Sequence, residues 1–191
     1  VLALVSTPAY DPNDFVMGYT SSAWEAVNSD EAQPLYNRWL ASWVPGSAFK
    51  PVTAALALTE GTLDPEEDVQ NEGLRWQLDS SWGSYYVTTL EDYSVKNLEN
   101  ALIHSDNIYF AKAAVGMGAD SFGEGLNSLG FGEELPFDFA LTASTYGTDG
   151  KITSDTELAD SGYGQGKILV NPIHLSSIYS ALVNGGNMVK P

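Results

Sequence analysis

The sequence reads PGSAFKP from Pro45 to Pro51, and an apolar periodic segment follows it. The proline-glycine pair at its start breaks the preceding chain. Pro51 falls in the first turn of the next element, where its missing N–H costs least. Apolar side chains recur after the break at helical spacing, at Phe49, Val52 and Leu56. The pattern predicts a helix from Ser47 to about Glu60, ended by Gly61.

Ser47 and Lys50 are three residues apart at the start of this helix, so their side chains share one face. A serine hydroxyl attacks efficiently only when an adjacent base takes its proton. Lysine is such a base where burial and nearby positive charge lower its pKa toward neutrality. Free N–H groups at the helix start favour negative charge on an attacked carbonyl. The alternative is a helix-capping Ser47 and an exposed Lys50, because roughly one match at this spacing arises by chance.

A second motif, Ser105-Asp106-Asn107, interrupts a helical pattern further along the chain. These residue types are also common caps and turn residues, which is the alternative interpretation. The functional hypothesis makes Ser105 a proton relay to Lys50. In it, Asn107 offers its amide to Lys50 and to the carbonyl of an acyl donor, and Asp106 points away.

Ser-x-x-Lys and Ser-Asp-Asn occur together in class A β-lactamases and penicillin-binding proteins, whose third motif is Lys-Thr-Gly. The chain resembles the transpeptidase domain of class B penicillin-binding proteins over essentially all of its 191 residues. The likeness is carried by LALVS and YDPN near the start, PGSAFKP, GYGQG at 162–166 and NP at 171–172. Residues 76–82, 104–109 and 158–166 look most similar to the low-affinity enzymes of Gram-positive bacteria, the group that contains the methicillin-resistance protein.

This resemblance implies a peptidoglycan D,D-transpeptidase with an acyl-serine mechanism. Ser47 would attack the D-Ala-D-Ala carbonyl of a stem peptide, and a β-lactam antibiotic would mimic that step and block Ser47. Gly164 and Gln165 are expected to bind substrate. No metal or organic cofactor is implied.

The resemblance also implies the α/β (α+β) fold of penicillin-binding proteins and serine β-lactamases, here mainly its helical part with a strand remnant. Lys-Thr-Gly is absent from the chain. We therefore expect residues 1–191 to be a partial transpeptidase domain, without the N-terminal pedestal and anchor and the C-terminal sheet strands. Val1–Ser6 is predicted to be a short strand, whose unpaired edges would favour self-association or pairing with strands from outside the chain.

The composition excludes several function classes. The chain has 25 acidic and 8 basic residues and a net charge of −17, which argues against binding to nucleic acid or to anionic lipid. It has no cysteine, so disulfides and thiolate metal sites are excluded. The absence of cysteine fits an extracytoplasmic bacterial protein. The family resemblance implies that the parent protein is tethered to the outer face of the bacterial cell membrane by an N-terminal helix.

Other elements are predicted from caps and periodicity. Residues 7–45 read as irregular, and 63–90 read as loops with a short hairpin. Helices are expected from Ser94 to about His104, from Ile108 to about Val115, around Phe122–Leu129, and from Asn171-Pro172 to Gly185-Gly186.

Two rival functions remain open. A β-lactamase of class A needs a glutamate-held water, but Glu124–Asn127 is one residue too short for its Glu-x-x-Leu-Asn motif. A β-lactam sensor domain would carry the same acylation motifs. A metal site is disfavoured, because His104 and His174 lack a second ligand at a recognisable spacing and the acidic residues at 64–68 fit no calcium loop.

Overall fold

The structure is a computed structural model that describes residues 2–71 and 73–191. Within these ranges it has eight α-helices and one antiparallel pair of strands. The helices are α1 (Asn13–Met17), α2 (Ser21–Asn28), α3 (Lys50–Thr59), α4 (Leu98–Ile103), α5 (Asn107–Met117), α6 (Ala119–Ser128), α7 (Asp155–Gly162) and α8 (Pro172–Val183). The strands are β1 (Arg75–Trp76) and β2 (Val87–Thr88). This mainly helical arrangement agrees with the predicted fold class.

Helix α3 confirms the helix predicted after the proline-glycine break. Its first turn differs, because Gly46–Phe49 forms a 3₁₀ turn before Lys50 starts the α-helix. Phe49, Val52 and Ala57 are buried in the main core together with side chains of α5, α6 and α8. Complete burial of a phenylalanine such as Phe49 contributes about 2–3 kcal/mol, so the apolar face of this segment holds the turn in place.

Helix α5 is the central helix and packs most extensively against α7. Gly162 makes this close approach possible, because a Cβ at that position would lie 2.3 Å from the Phe110 carbonyl oxygen. The helix begins at Asn107 and continues to Met117, beyond the predicted Val115. Gly116 therefore lies inside it, and Gly118, with φ of 83°, ends it.

Three helices were missing from the sequence-based prediction. Helices α1 and α2 lie in the part that read as irregular, and none of their side chains is buried, so apolar periodicity gave no signal. Helix α7 does have a sequence signal, the spacing Ser-x-x-Glu. The Ser154 hydroxyl accepts from the Glu157 N–H, and the Glu157 carboxylate accepts from the N–H of Thr153.

Two further boundaries were predicted differently. Helix α4 starts at Leu98 and not after Ser94, because the Asn97 side chain accepts from the Asn100 N–H and caps it. The short hairpin expected within 63–90 is confirmed as β1 and β2, with Trp76 opposite Val87. The helix predicted to start at Pro172 is confirmed, with the Asn171 side chain as its cap.

The prediction of a strand at Val1–Ser6 was wrong for the described residues 2–6, which are not in a strand. A strand is held by hydrogen bonds to a neighbouring strand, and Leu2 and Val5 are largely exposed. Val1 lies outside the described residues. Within 2–71 and 73–191, no helix combines the length and the apolar character that crossing a bilayer would need.

Candidate active site

Ser47 lies exposed in the 3₁₀ turn that leads into α3. The preceding Gly46 has φ of 55°, and its N–H donates to the carbonyl of Gly164 at 2.9 Å. Gly164 is buried behind this turn with φ of 76°, and a Cβ there would lie 2.2 Å from the Gly46 carbonyl oxygen. Only glycine fits this contact without displacing backbone. The two glycines therefore fix the position of Ser47.

Lys50 is buried, with 1% of its surface exposed, and its Nζ contacts three oxygen atoms. It donates to the Ser105 carbonyl at 2.5 Å, to the Ser105 hydroxyl at 2.9 Å and to Asn107 Oδ1 at 2.8 Å. The Phe110 ring lies 5.8 Å from the amine. The alternative of an exposed Lys50 is excluded by this burial.

Ser105 bridges Lys50 and Ser47. Its hydroxyl lies 3.0 Å from the Ser47 hydroxyl, while no hydrogen bond joins the side chains of Ser47 and Lys50 in the described part of the chain. The backbone N–H of Lys50 donates to the Ser47 carbonyl within the 3₁₀ turn. The direct serine-lysine contact that the spacing suggests is therefore not made. The structure brings Ser47, Lys50, Ser105 and Asn107 together, but Ser105 occupies the middle of the chain of contacts.

The backbone of Ser105 explains how one residue offers Lys50 two oxygen atoms. Ser105 has φ of 52° and follows α4 in the position that glycine usually takes. The Asp106 N–H donates to the Ala101 carbonyl and the Ser105 N–H donates to the Leu102 carbonyl, which is the hydrogen-bond pattern of a Schellman motif. This left-handed turn directs both the carbonyl and the hydroxyl of Ser105 toward Lys50.

Burial lowers the pKa of Lys50 to about 8, and the nearby Asp106 carboxylate partly opposes this shift. The neighbouring positive charge that was expected to lower this pKa plays no part.

The three hydrogen bonds of Lys50 Nζ also determine how a neutral amine would bond. The Ser105 carbonyl and Asn107 Oδ1 can only accept, so the two hydrogens of the amine go to them and its lone pair faces the Ser105 hydroxyl.

Asp106 was expected only to point away, but it organises the motif. Its buried carboxylate caps α5 by accepting from the N–H groups of Ile108 and Tyr109. It also accepts from the Tyr93 hydroxyl at 2.8 Å. Burial and this hydrogen bond raise the pKa of Tyr93, so the phenol stays a donor. Asp106 thereby fixes the start of the helix that presents Asn107.

Thr88 and Tyr179 also contact the site and were missed from the sequence. The Asn107 amide donates to the Thr88 carbonyl of β2 at 3.0 Å, and the Tyr179 hydroxyl donates to the Ala48 carbonyl at 2.6 Å. No sequence motif predicts either contact, because the first uses a backbone carbonyl and the second comes from a helix that is distant in sequence.

The predicted substrate-binding pair divides into a buried and an exposed residue. Gly164 packs behind the Ser47 turn, so the structure gives it a supporting position. The exposed Gln165 carries its side-chain nitrogen 3.6 Å from the place of a Cβ on Gly46, next to Ser47. Substrate contact by either residue stays a prediction.

The histidines take positions away from any cluster of metal ligands. His104 stacks on Tyr93 with ring centroids 4.2 Å apart and contacts Glu91 at 2.5 Å. His174 is buried between the Ser144 hydroxyl and the Leu129 carbonyl, and burial lowers its pKa. In residues 2–71 and 73–191, no group of three His, Cys, Asp or Glu side chains could hold a metal ion.

Replacing Ser105 by glycine and by alanine separates its backbone role from its hydroxyl. Both variants lose the hydroxyl, so we expect both to lose acylation to a similar extent. Only alanine keeps a Cβ in the left-handed conformation, which costs about 1–2 kcal/mol. Thermal unfolding should therefore show the glycine variant melting about 2–8 °C above the alanine variant, since 1 kcal/mol shifts the melting temperature by about 2–4 °C in a domain of this size. Equal melting temperatures would show that this turn stores no strain.

The sequence matches the family model described as the penicillin binding protein transpeptidase domain over residues 1–191. Penicillin-binding protein 3 of Bacillus subtilis is 46% identical over 191 residues, covering 100% of this chain and 28% of that protein. The peptidoglycan D,D-transpeptidase MrdA of Escherichia coli is 31% identical over 200 residues, covering 100% and 31%. The chain thus spans about a third or less of the length of these curated relatives.

Solved structures agree with the fold. PBP2 of Pseudomonas aeruginosa, in complex with WCK 5153, has a TM-score of 0.85 and 30% identity, covering 100% of this chain and 43% of that chain. Penicillin-binding protein A of M. tuberculosis, as an imipenem acyl-enzyme complex, has a TM-score of 0.82 and 26% identity, covering 100% and 44%. The likeness extends over the whole of this chain.

Proposed function

The chain belongs to the penicillin-binding protein transpeptidase family, and we propose that it forms the acyl-transfer part of a peptidoglycan D,D-transpeptidase. One observation carries the proposal. The Ser47 hydroxyl contacts Ser105, and Ser105 contacts a buried Lys50 whose pKa is lowered to about 8. A serine linked in this way to an amine that can be neutral is suited to nucleophilic catalysis.

The first half-reaction uses the hydrogen bonds of a neutral Lys50. Ser47 gives its proton to Ser105 while the Ser105 proton passes to Lys50 Nζ, and the Ser47 oxygen attacks the penultimate D-Ala carbonyl. The C–N bond then breaks. The leaving amine takes a proton back along the same path, and free D-Ala departs. The product is an ester between Ser47 and the shortened stem peptide.

The second half-reaction follows the same path with an acceptor amine as the nucleophile. The amine attacks the ester, loses a proton through Ser105 to Lys50, and the ester C–O bond breaks. Ser47 recovers its proton from this path. An amide cross-link forms, and the site returns to its starting protonation state.

Electrostatic support for the developing oxyanion comes partly from this chain. The Ser47 N–H lies at the start of a helical segment, where free N–H groups favour negative charge. The family's second donor comes from the Lys-Thr-Gly strand, which this sequence does not contain. We accordingly propose that residues 1–191 are a partial transpeptidase domain within a longer, membrane-anchored protein that acts outside the cytoplasm.

β-Lactams are proposed to react at the same serine. Penicillin-binding protein A of M. tuberculosis forms acyl-enzyme complexes with imipenem and with penicillin G. The Ser47 hydroxyl is exposed and its relay is in place, so a strained β-lactam amide would acylate it. Self-association of this chain stays a further proposal.

A D-Ala exchange assay tests the function. The full-length protein is incubated with a peptide ending in D-Ala-D-Ala and an excess of an amine acceptor, and products are followed by mass spectrometry. We expect release of D-Ala and an acceptor-capped peptide. Fast nitrocefin hydrolysis would indicate a β-lactamase, and penicillin acylation without exchange would indicate a sensor; either result contradicts the proposal.

A further inference from the structure

Arg75 lies beside the candidate site through the register of the hairpin. Its Cα is directly opposite that of Thr88 in the ladder, and the Thr88 carbonyl accepts from the Asn107 amide at 3.0 Å. Directly opposite residues share one face of an antiparallel pair. Trp76 and Val87 take the inner face of the hairpin, and Arg75 and Thr88 are exposed on the other face.

The guanidinium of Arg75 lies against an aromatic ring, and among residues 2–71 and 73–191 it pairs with no carboxylate. It lies 5.5 Å from the centre of the Tyr86 ring, a contact that orients the guanidinium and leaves its N–H groups available. The ion pairs found in residues 2–71 and 73–191 involve Lys96, Lys167 and His104. An arginine outside these pairs is notable in a chain with 25 acidic residues.

The other cations near this part of the fold are already engaged. Lys50 is buried in the relay. Lys96 pairs with Asp92 at 2.8 Å, and Lys112 donates to the Gln70 carbonyl at 2.5 Å. A negatively charged ligand approaching a protein of net charge −17 meets overall repulsion. Arg75 is an exposed cation opposite Thr88, the residue whose carbonyl contacts Asn107, and it can offset part of that repulsion there.

The hydrogen bonds of the Asn107 amide bear on which part of an acyl donor would lie near Arg75. One of its two N–H groups is used by Thr88, and the other is available for a carbonyl of the acyl donor. When the carbonyl on the acyl side of a donor accepts from this N–H, the acyl side chain of the donor lies on the β2 side of Ser47, toward the hairpin.

We propose that Arg75 selects acyl donors whose side chain carries a free carboxylate. The inference rests on the proposed acyl-transfer function and specifies its substrate class. The planar guanidinium matches a carboxylate in a two-point hydrogen-bonded pair. A donor whose side chain ends in an amine or an amide lacks this partner and acylates Ser47 more slowly.

Two penicillins that differ by one carboxylate test the proposal. Carbenicillin carries a carboxylate on its acyl side chain that benzylpenicillin lacks. Second-order acylation rates of the full-length protein are measured with both by intact mass. Arg75→Gln should slow carbenicillin by about threefold to fivefold, the range of a solvent-exposed charge pair, and change benzylpenicillin less than twofold. Arg75→Lys should fall between Arg75→Gln and the parent.

Arg38→Gln is the matched control, since it removes an equal charge from an arginine that bonds to the backbone carbonyls of Ala32 and Tyr36. It should leave the ratio of the two rates unchanged. Added salt should reduce the difference between the parent and Arg75→Gln in the ratio of the carbenicillin rate to the benzylpenicillin rate. An equal effect of Arg75→Gln on both penicillins, or none on either, would overturn the proposal. Failure of both penicillins to acylate the parent would instead overturn the proposed function.

Discussion

Replacing Ser47 by alanine is expected to abolish the covalent adduct of the full-length protein with benzylpenicillin. The hydroxyl of Ser47 is the exposed group that Ser105 links to Lys50. Removal of a catalytic nucleophile leaves no atom to form the ester, so the rate should fall by at least about 10³-fold. Intact mass spectrometry after incubation measures the adduct directly.

Ser128→Ala is a suitable control. Ser128 is also exposed, and its hydroxyl donates only to a carbonyl within α6. This variant should acylate like the parent. An adduct that persists in Ser47→Ala would show that a different residue is the nucleophile, and the proposed chemistry would then be wrong.

Replacing Lys50 by methionine is expected to slow acylation by about 10²–10⁴-fold, the usual contribution of a positioned general base. In the parent, the base is active only when neutral. With the pKa of Lys50 at about 8, the rate should rise about tenfold per pH unit below that value and level off above it. The variant should lose this dependence. A parent rate that is flat between pH 6 and 8 would contradict Lys50 as the base.

Lys50→Met slows acylation, but it should also remove a cost that Lys50 imposes on the stability of the folded protein. Burial lowers the pKa of Lys50 from 10.5 to about 8, so the folded state disfavours the charged amine. This cost, about 3 kcal/mol, is fully present below pH 8 and disappears above 10.5. The free energy of unfolding of the parent should therefore rise, relative to that of Lys50→Met, between pH 8 and 10.5. Denaturant titrations at several pH values would show whether the gap changes.

The sequence was sufficient for the part of the site that depends on local spacing. The break at Pro45, the apolar pattern of α3 and the Asn171-Pro172 start of α8 follow from local preferences of the chain. These elements form as predicted, except that the first turn before α3 is a 3₁₀ turn. The family resemblance then linked two motifs that are distant in sequence, because each had the expected residues at the expected spacing.

The parts that could not be predicted depend on tertiary packing. Ser105 stands between Ser47 and Lys50 because a left-handed turn after α4 directs two of its oxygen atoms inward. Residue spacing within α3 says nothing of this turn. The support from Gly164 likewise requires two backbones to touch, a contact between segments far apart in sequence. For Asp106, the alternative interpretation of the motif as a helix cap is the one that the structure shows.

The hairpin shows a third limit of sequence-based prediction. Its aromatic residues indicated a short pair of strands, but not that the Thr88 carbonyl would bond to Asn107. That bond and the register together put the Cα of Arg75 opposite a residue that contacts Asn107. Register between two short strands depends on which residues face the core, here Trp76 and Val87, and this became clear only from the packing against α5 and α7.

The relay through Ser105 is tested most directly by a double-mutant cycle on the acylation rate of benzylpenicillin. The rates compared are those of the parent, Ser105→Ala, Lys50→Met and the double variant. Groups that act as one unit give losses that are far from additive in free energy. We predict that the double variant acylates about as fast as Lys50→Met alone. A double variant slowed by the product of the two single effects would show that Ser105 and Lys50 act independently, and would contradict the relay.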